Sequence, residues 1–171
     1  MKSLVLYACI LIIAFQPSSS IEPKKLKNVI ETIEDDIEAC RIENNVTEVD
    51  VYKPQDMMTD LPTQIENEER TRRIGCWIAC VLKRQDLMEN SNIKEAQIHV
   101  RINVEYGGSL EEVIFHEIAR KCMKQVRNIT QECEKSFSLL VCVIKSVSKE
   151  QKHQELEIEE AEGKTEIEQT V

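Results

Sequence analysis

The sequence predicts an all-α domain that is held together by disulfides, and three observations support this prediction. The 171 residues include only 4 Gly and 4 Pro, too few for the many turns of a β-sandwich or a β-barrel. Apolar residues recur at helical spacing along most of the chain, and no segment shows the alternation of a strand. Six of the 7 cysteines follow a predicted leader and are available for disulfides. The length suits one domain.

The charge of the chain limits its partners. Lys and Arg number 22 and Asp and Glu number 31, which gives a formal net charge of -9 at pH 7. Such a chain lacks the basic surface that binds nucleic acid, so no nucleic-acid partner is expected. The hydrophobic fraction of 42% is too high for a wholly disordered chain.

Residues 1–20 are expected to be a signal peptide that is removed from the fold. Lys2 supplies a basic start, and residues 4–15 are almost entirely apolar. Ser18 and Ser20 are the small residues that signal peptidase requires before a cut after Ser20. The apolar run is too short for a membrane span, and no later run approaches that length. The product is therefore expected to be secreted and extracellular, with no membrane span.

The first half of the remaining chain predicts three helices. Over about residues 22–42, apolar residues recur every three or four positions with acidic residues between them, which indicates an amphipathic helix. Thr47 to Asp50 resemble a capping box, so a short second helix is expected to begin there. Pro54 and Pro62 bracket an irregular stretch. A third helix is expected at about 67–84.

Three more helices are expected in the second half. The fourth runs over about 93–105 and ends at Gly107-Gly108. Ser109 and Glu112 form a capping-box pattern that opens the fifth. The sixth covers about 131–148, which completes a domain of residues 21–148.

The segment 149–171 differs in composition from the domain. It contains eight Glu and three Lys, and its aliphatic residues are too sparse for a core face. We expect an acidic, disordered tail that adds negative charge and solubility. The alternative is a segment that folds back as a lid.

An even number of cysteines in a secreted chain predicts three disulfides. Cys76 and Cys80 lie on one face of a helix, where they are badly placed to pair with each other. Cys133 and Cys142 face opposite sides of their helix and should have different partners. A rival interpretation is a zinc site of Cys76, Cys80 and either His99 or His116. It lacks a second close Cys pair, so no metal is expected.

The spacing of these cysteines, C-x35-C-x3-C-x41-C-x10-C-x8-C, resembles the six-cysteine pattern of the insect odorant-binding proteins, in which the C-x3-C and C-x8-C intervals are fixed. Residues 75–82 (GCWIACVL) and 86–88 (DLM) are similar to the ant pheromone-binding proteins of the fire-ant social-behaviour group. The resemblance covers about residues 22–148 and does not extend into the acidic tail.

This resemblance implies a fold of six helices around an apolar cavity. It implies a secreted carrier that binds and transports small hydrophobic odorants or pheromones, with an effect on chemosensory or social behaviour. The disulfide pairs that it implies are Cys40–Cys80, Cys76–Cys133 and Cys122–Cys142. They agree with the helix-face argument.

The lining of such a cavity is expected to come from apolar residues within the helices. An apolar wall removes the ligand's surface from water, and one or two polar groups fix its orientation. The candidate lining residues are Trp77, Val81, Ile114, Ile118, Phe137, Leu140 and Val141. Each of them is equally compatible with an ordinary place in the core.

Other motifs give little support to chemistry beyond binding. His99, His116 and His153 each lack an adjacent nucleophile, so no catalytic residue, enzyme activity or cofactor is expected. A secreted signalling or inhibitor protein that acts through its surface is the alternative function, and a homodimer is left open.

Two kinds of modification site are also compatible with secretion. Residues 70–73 (RTRR) match a proprotein-cleavage site, although a basic helix face paired with Glu66, Glu68 and Glu69 is the favoured interpretation. Asn45 and Asn128 begin glycosylation sequons.

Overall fold

The computed structural model describes the backbone of residues 23–168 and the side chains of residues 33–152. The predicted signal peptide lies outside the described residues. Six α-helices occupy most of the described chain, which confirms the all-α fold class. They are α1 Pro23–Glu43, α2 Pro54–Met57, α3 Glu68–Arg84, α4 Glu95–Tyr106, α5 Leu110–Val126 and α6 Glu132–Glu168.

Short irregular elements join the helices. Two 3-10 turns, Leu61–Thr63 and Ile65–Asn67, lead from α2 into α3. An antiparallel hairpin of β1 (Met88–Glu89) and β2 (Asn92–Ile93) connects α3 to α4, with Met88 opposite Ile93. Its strands have two residues each, too few to produce an alternating pattern in the sequence.

The capping-box pattern at Thr47 closes a turn and does not open a helix. The Asp50 carboxylate accepts bonds from the Thr47 backbone N–H (2.8 Å) and hydroxyl (2.7 Å), and it pairs with Arg73 at 2.5 Å. Burial alone would raise the pKa of Asp50, but these bonds outweigh it and hold the pKa below its usual value. The second helix begins later, at Pro54, where proline suits the first turn.

Neither bond of the second predicted capping box is formed. The Glu112 carboxylate accepts a bond from the Gly108 backbone N–H at 2.9 Å, while the Ser109 side chain makes no capping bond. Helix α5 nevertheless begins at Leu110, one residue after the predicted cap.

The core consists of two clusters that share α6. The first cluster lies among α1, the loop after it, α3 and α6, and its largest buried side chains include Tyr52 and Trp77. The second lies mainly between α5 and α6. Helix α6 serves both, because Phe137 and Leu140 enter the first cluster while Leu139 enters the second.

Three disulfides tie the long helices together. They join α1 to α3 through Cys40–Cys80, α3 to α6 through Cys76–Cys133, and α5 to α6 through Cys122–Cys142. These are the pairs that the resemblance implies. Of the long helices described, α4 alone carries no cysteine.

The last helix extends far beyond the predicted domain. Its backbone is helical through Glu168 and so includes most of the acidic segment 149–171, for which the composition favoured disorder. The segment is rich in Glu, Lys and Gln and has no proline. These residues have high helix propensity, so the helix continues without an apolar face to bury.

Gly75 marks a close approach of α3 to α6. A Cβ added there would lie 2.1 Å from the Cys133 carbonyl oxygen, a backbone atom that cannot rotate away. We expect Gly75→Ala to lower the free energy of unfolding by about 3 kcal/mol, the upper part of the range for overpacking. Chemical denaturation of the oxidised protein measures this change.

The matched control is Gly108→Ala. Gly108 has a φ of 84° and no neighbour within 4 Å of an added Cβ, so only backbone strain of about 1 kcal/mol is expected. A Gly75→Ala protein at least as stable as the original chain, as helix propensity alone would give, would contradict the close approach.

Candidate functional site

The seven predicted lining residues fall into two groups. Trp77, Phe137 and Leu140 belong to the first core cluster, with Val81 and Val141 packed against it. Ile118 belongs to the second cluster, and Ile114 packs against that one. The structure therefore places five candidates on one side of α6 and two on the other.

Trp77, Phe137 and Leu140 of the first group are buried in the core, and Val81 and Val141 are partly buried against them. Trp77 is 1% exposed, and its indole N–H donates a hydrogen bond of 2.9 Å to the carbonyl of Ile37. Tyr52 meets Phe137 edge to face, with ring centroids 6.1 Å apart. None of the five residues lines either of the two surface recesses described next.

The second group lines a recess between α5 and α6, here called the α5–α6 recess. Its volume is about 290 Å³, close to the lower limit for small-molecule pockets. Ile114 and Ile118 lie one helical turn apart and form its apolar wall. The complete lining is Ile114, Glu117, Ile118, Lys121, Ser146, Lys149 and Glu150.

Polar groups surround this apolar wall. The Lys121 ammonium donates to the Ser146 hydroxyl at 3.3 Å, and Ser146 is buried. Lys149 and Glu150 bring the first residues after the predicted domain boundary to the rim. An apolar wall with a few donors and acceptors can hold a small molecule that has an apolar body and one polar group.

The sequence pattern predicts only the apolar part of the recess. Ile114 and Ile118 were candidates, whereas Lys121, Ser146 and Glu117 were not. Lys121 follows Ile118 by three residues and Ile114 by seven, so the helical stripe on α5 was a signal that could have included it. Ser146 carried no such signal, because its place depends on how α5 crosses α6.

A second recess of about 500 Å³ lies beside the disulfides that end at Cys80 and Cys133. Charged side chains fill much of its lining, and they pair with one another. Lys83 contacts Glu132 at 2.6 Å, and Arg84 contacts Glu43. None of the seven predicted lining residues contributes to this second recess.

The cysteines considered for a zinc site are disulfide-bonded. Cys76 and Cys80 belong to different bridges, so neither sulfur is a free thiolate ligand. Cys40, Glu43 and Cys80 also lie close together, but the sulfurs of Cys40 and Cys80 are bonded to each other.

Two surface motifs are placed by the structure. Arg70 donates to the Asp50 carbonyl at 2.6 Å, and its guanidinium lies 3.9 Å above the Tyr52 ring. Arg72 pairs with Glu69 at 2.7 Å, so residues 70–73 form a helix face with paired charges. Of the three glutamates predicted as partners, Glu69 is the one that takes part in the ion pairs of the described residues. The sequon residues Asn45 and Asn128 are exposed in the turns after α1 and α5.

Among the described residues, no helix combines the length and apolar character that crossing a membrane requires. No solved structure matches the chain. Curated relatives do match. The pheromone-binding protein Gp-9 of Solenopsis nigella gensterblumi and that of Solenopsis pusillignis are each 25% identical over 145 residues, which is 84% of this chain and 92% of theirs. The Gp-9 protein of Solenopsis electra is 24% identical over the same length.

A family model agrees with these relatives. The model of the PBP/GOBP family matches residues 23–146, a range that contains all six helix starts and the three disulfides. The fold, the cysteine pairing and this match lead to one conclusion: the chain belongs to the PBP/GOBP family.

Proposed function

We propose that the protein is a secreted carrier that binds small hydrophobic odorants or pheromones and releases them at a target. The α5–α6 recess is the observation that carries this proposal, since it offers an apolar wall of suitable size within a covalently tied helical frame. The relatives named as pheromone-binding proteins support the same ligand class. Delivery of such a signal would affect chemosensory or social behaviour.

The recess also indicates a ligand chemistry. Ile114 and Ile118 favour an aliphatic body, because contact with them removes apolar surface from water. Lys121 on the same stripe of α5 and Ser146 on α6 present donors beside this wall, so a ligand oxygen such as an alcohol, ester or carboxylate would be fixed there. A binding role needs no covalent step and no cofactor.

The recess is tested by Ile114→Ala. This change removes part of the apolar wall, and we expect it to weaken binding of the fluorescent probe N-phenyl-1-naphthylamine by about tenfold, or about 1.4 kcal/mol. The control is Val113→Ala on the same helix, because Val113 is 62% exposed and faces away from the recess. Equal probe affinity in both variants would place the ligand elsewhere.

Two truncations separate the rim from the rest of the tail. A chain that ends after Gln151 keeps Lys149 and Glu150, and we expect its probe affinity to be unchanged. A chain that ends after Ser148 loses both rim residues, and we expect a modest loss of about 0.2–1 kcal/mol, as for exposed charged groups. Probe titration of the two chains measures the difference. A tenfold loss after Gln151 would show instead that the distal tail acts as a lid.

A further inference from the structure

The rings of His99 and His116 meet where α4 packs against α5. Their Nδ1 atoms are 2.7 Å apart, and the ring centroids are 4.8 Å apart. The contact follows from the helical hairpin, because His99 lies eight residues before Gly107 and His116 lies eight residues after Gly108. The side chains are 24% and 19% exposed, so small solutes can reach them.

The outer nitrogens of both rings face oxygen acceptors. His116 Nε2 lies 2.6 Å from the Asn103 side-chain oxygen and 3.8 Å from the Glu112 carboxylate. His99 Nε2 lies 3.9 Å from the Glu95 carboxylate. Each glutamate precedes its histidine by four residues, which puts the two groups on one helix face. The contact with Asn103 favours an N–H on Nε2 of His116, whereas the two carboxylates are near neighbours beyond hydrogen-bond distance.

His116 Nδ1 then carries a lone pair, and at 2.7 Å it accepts a hydrogen bond from the Nδ1–H of His99. When that proton moves to Nε2 of His99, on the side of Glu95, both Nδ1 lone pairs become available to a cation. An oxygen that accepts from the outer N–H of a metal-bound histidine fixes the tautomer and strengthens the ligand, and Asn103 has that position beside His116. The two Nδ1 atoms are therefore close enough to bind one cation together, and the two nearby carboxylates add negative charge beside them.

We propose that His99 and His116 bind one divalent transition-metal ion through their Nδ1 atoms, with Cu²⁺ and then Ni²⁺ as the preferred ions. Two ligand nitrogens at about 2.0 Å from a metal and at a right angle to each other are about 2.8 Å apart. That separation is close to the 2.7 Å between the two Nδ1 atoms and matches tetragonal ions. Water completes the coordination, and the net charge of -9 favours a cation.

The ion would cross-link α4 to a neighbouring helix, a link that no disulfide provides for α4. Helices α1, α3, α5 and α6 are linked by disulfides, whereas α4 carries no cysteine. A metal ion between His99 and His116 would connect α4 to α5, beside the turn at Gly107-Gly108. Because binding requires neutral imidazoles, the tie would weaken as the pH falls.

The test is calorimetric titration of the oxidised full-length secreted chain with Cu²⁺ and with Ni²⁺ at pH 7.5. We expect one ion per chain at this site, and the loss of that binding in both His99→Gln and His116→Gln. The control is His153→Gln, which changes the one other histidine of the sequence and should keep the site. Glu112→Gln should weaken binding by about tenfold, and the neighbouring Glu111→Gln should not.

A spectroscopic measurement on the unaltered protein makes the test independent of variant folding. Electron spin-echo modulation of the Cu²⁺ complex should show two imidazole nitrogens. A signal from none or from one, or an ion that still binds to both histidine variants, would overturn the proposal. The carrier function does not enter this test, so failure here leaves the probe experiments on Ile114 unaffected.

Discussion

The double substitution Cys76→Ser and Cys133→Ser is expected to lower the free energy of unfolding by about 4 kcal/mol. This disulfide closes a loop of 57 residues, and the chain-entropy model gives about that cost for the freedom that its loss returns to the unfolded chain. It also joins α3 to α6, which together supply five of the eleven buried residues of the first core cluster. Denaturant unfolding, followed by circular dichroism, measures the change.

The matched control is the double substitution Cys122→Ser and Cys142→Ser. That disulfide closes a loop of only 20 residues, so the same model gives a smaller cost of about 3 kcal/mol. Both variants keep two disulfides and introduce the same chemistry. If the short-loop variant were the less stable of the two, native contacts would dominate over loop entropy and the expected order would be wrong.

Trp77→Ala is expected to lower the free energy of unfolding by about 3–5 kcal/mol, because it empties the space of the largest buried side chain. The neighbours are fixed by Cys40–Cys80 and Cys76–Cys133 on the same helix, so they cannot collapse fully into the cavity. Trp77 is the sole tryptophan of the sequence. Unfolding should therefore be followed by circular dichroism.

The control for this change is Trp77→Phe. It keeps an aromatic ring in the core and removes the N–H that donates to Ile37, at an expected cost of about 0.5–1.5 kcal/mol for the hydrogen bond. Probe affinity is then compared between folded Trp77→Phe and the original chain. We expect no change, and a clear loss would return Trp77 to the binding site.

The helices and the cysteine partners were predictable because both depend on local or strongly periodic features. Apolar spacing placed α1, α3 and α6 within one or two residues of their observed starts. The two places where the helices differ from the expected bounds have local causes as well. Thr47 and Asp50 satisfied each other within a turn, and the acidic residues after 148 kept their intrinsic preference for helix.

The site was less predictable because periodicity does not distinguish a pocket wall from a core. Trp77 and Ile114 both occupy the apolar stripe of a helix, yet Trp77 is enclosed and Ile114 borders a recess. That difference depends on where two helices diverge, which no local pattern encodes. The meeting of His99 and His116 was encoded, by their equal distance from Gly107-Gly108, but it requires α4 and α5 to pack as a hairpin.

The sharing of α6 between the two core clusters has a consequence for synthesis of the protein. While the ribosome is still producing the chain, α1 and α3 are complete long before α6, and Cys40–Cys80 is the one bridge of the three that can close between them. About 60 further residues separate the end of α3 from Ile144, which is roughly 3–12 s at ordinary translation rates. During that interval the apolar faces of both helices lack the contacts that α6 later supplies, and Cys40–Cys80 is the single covalent link between them.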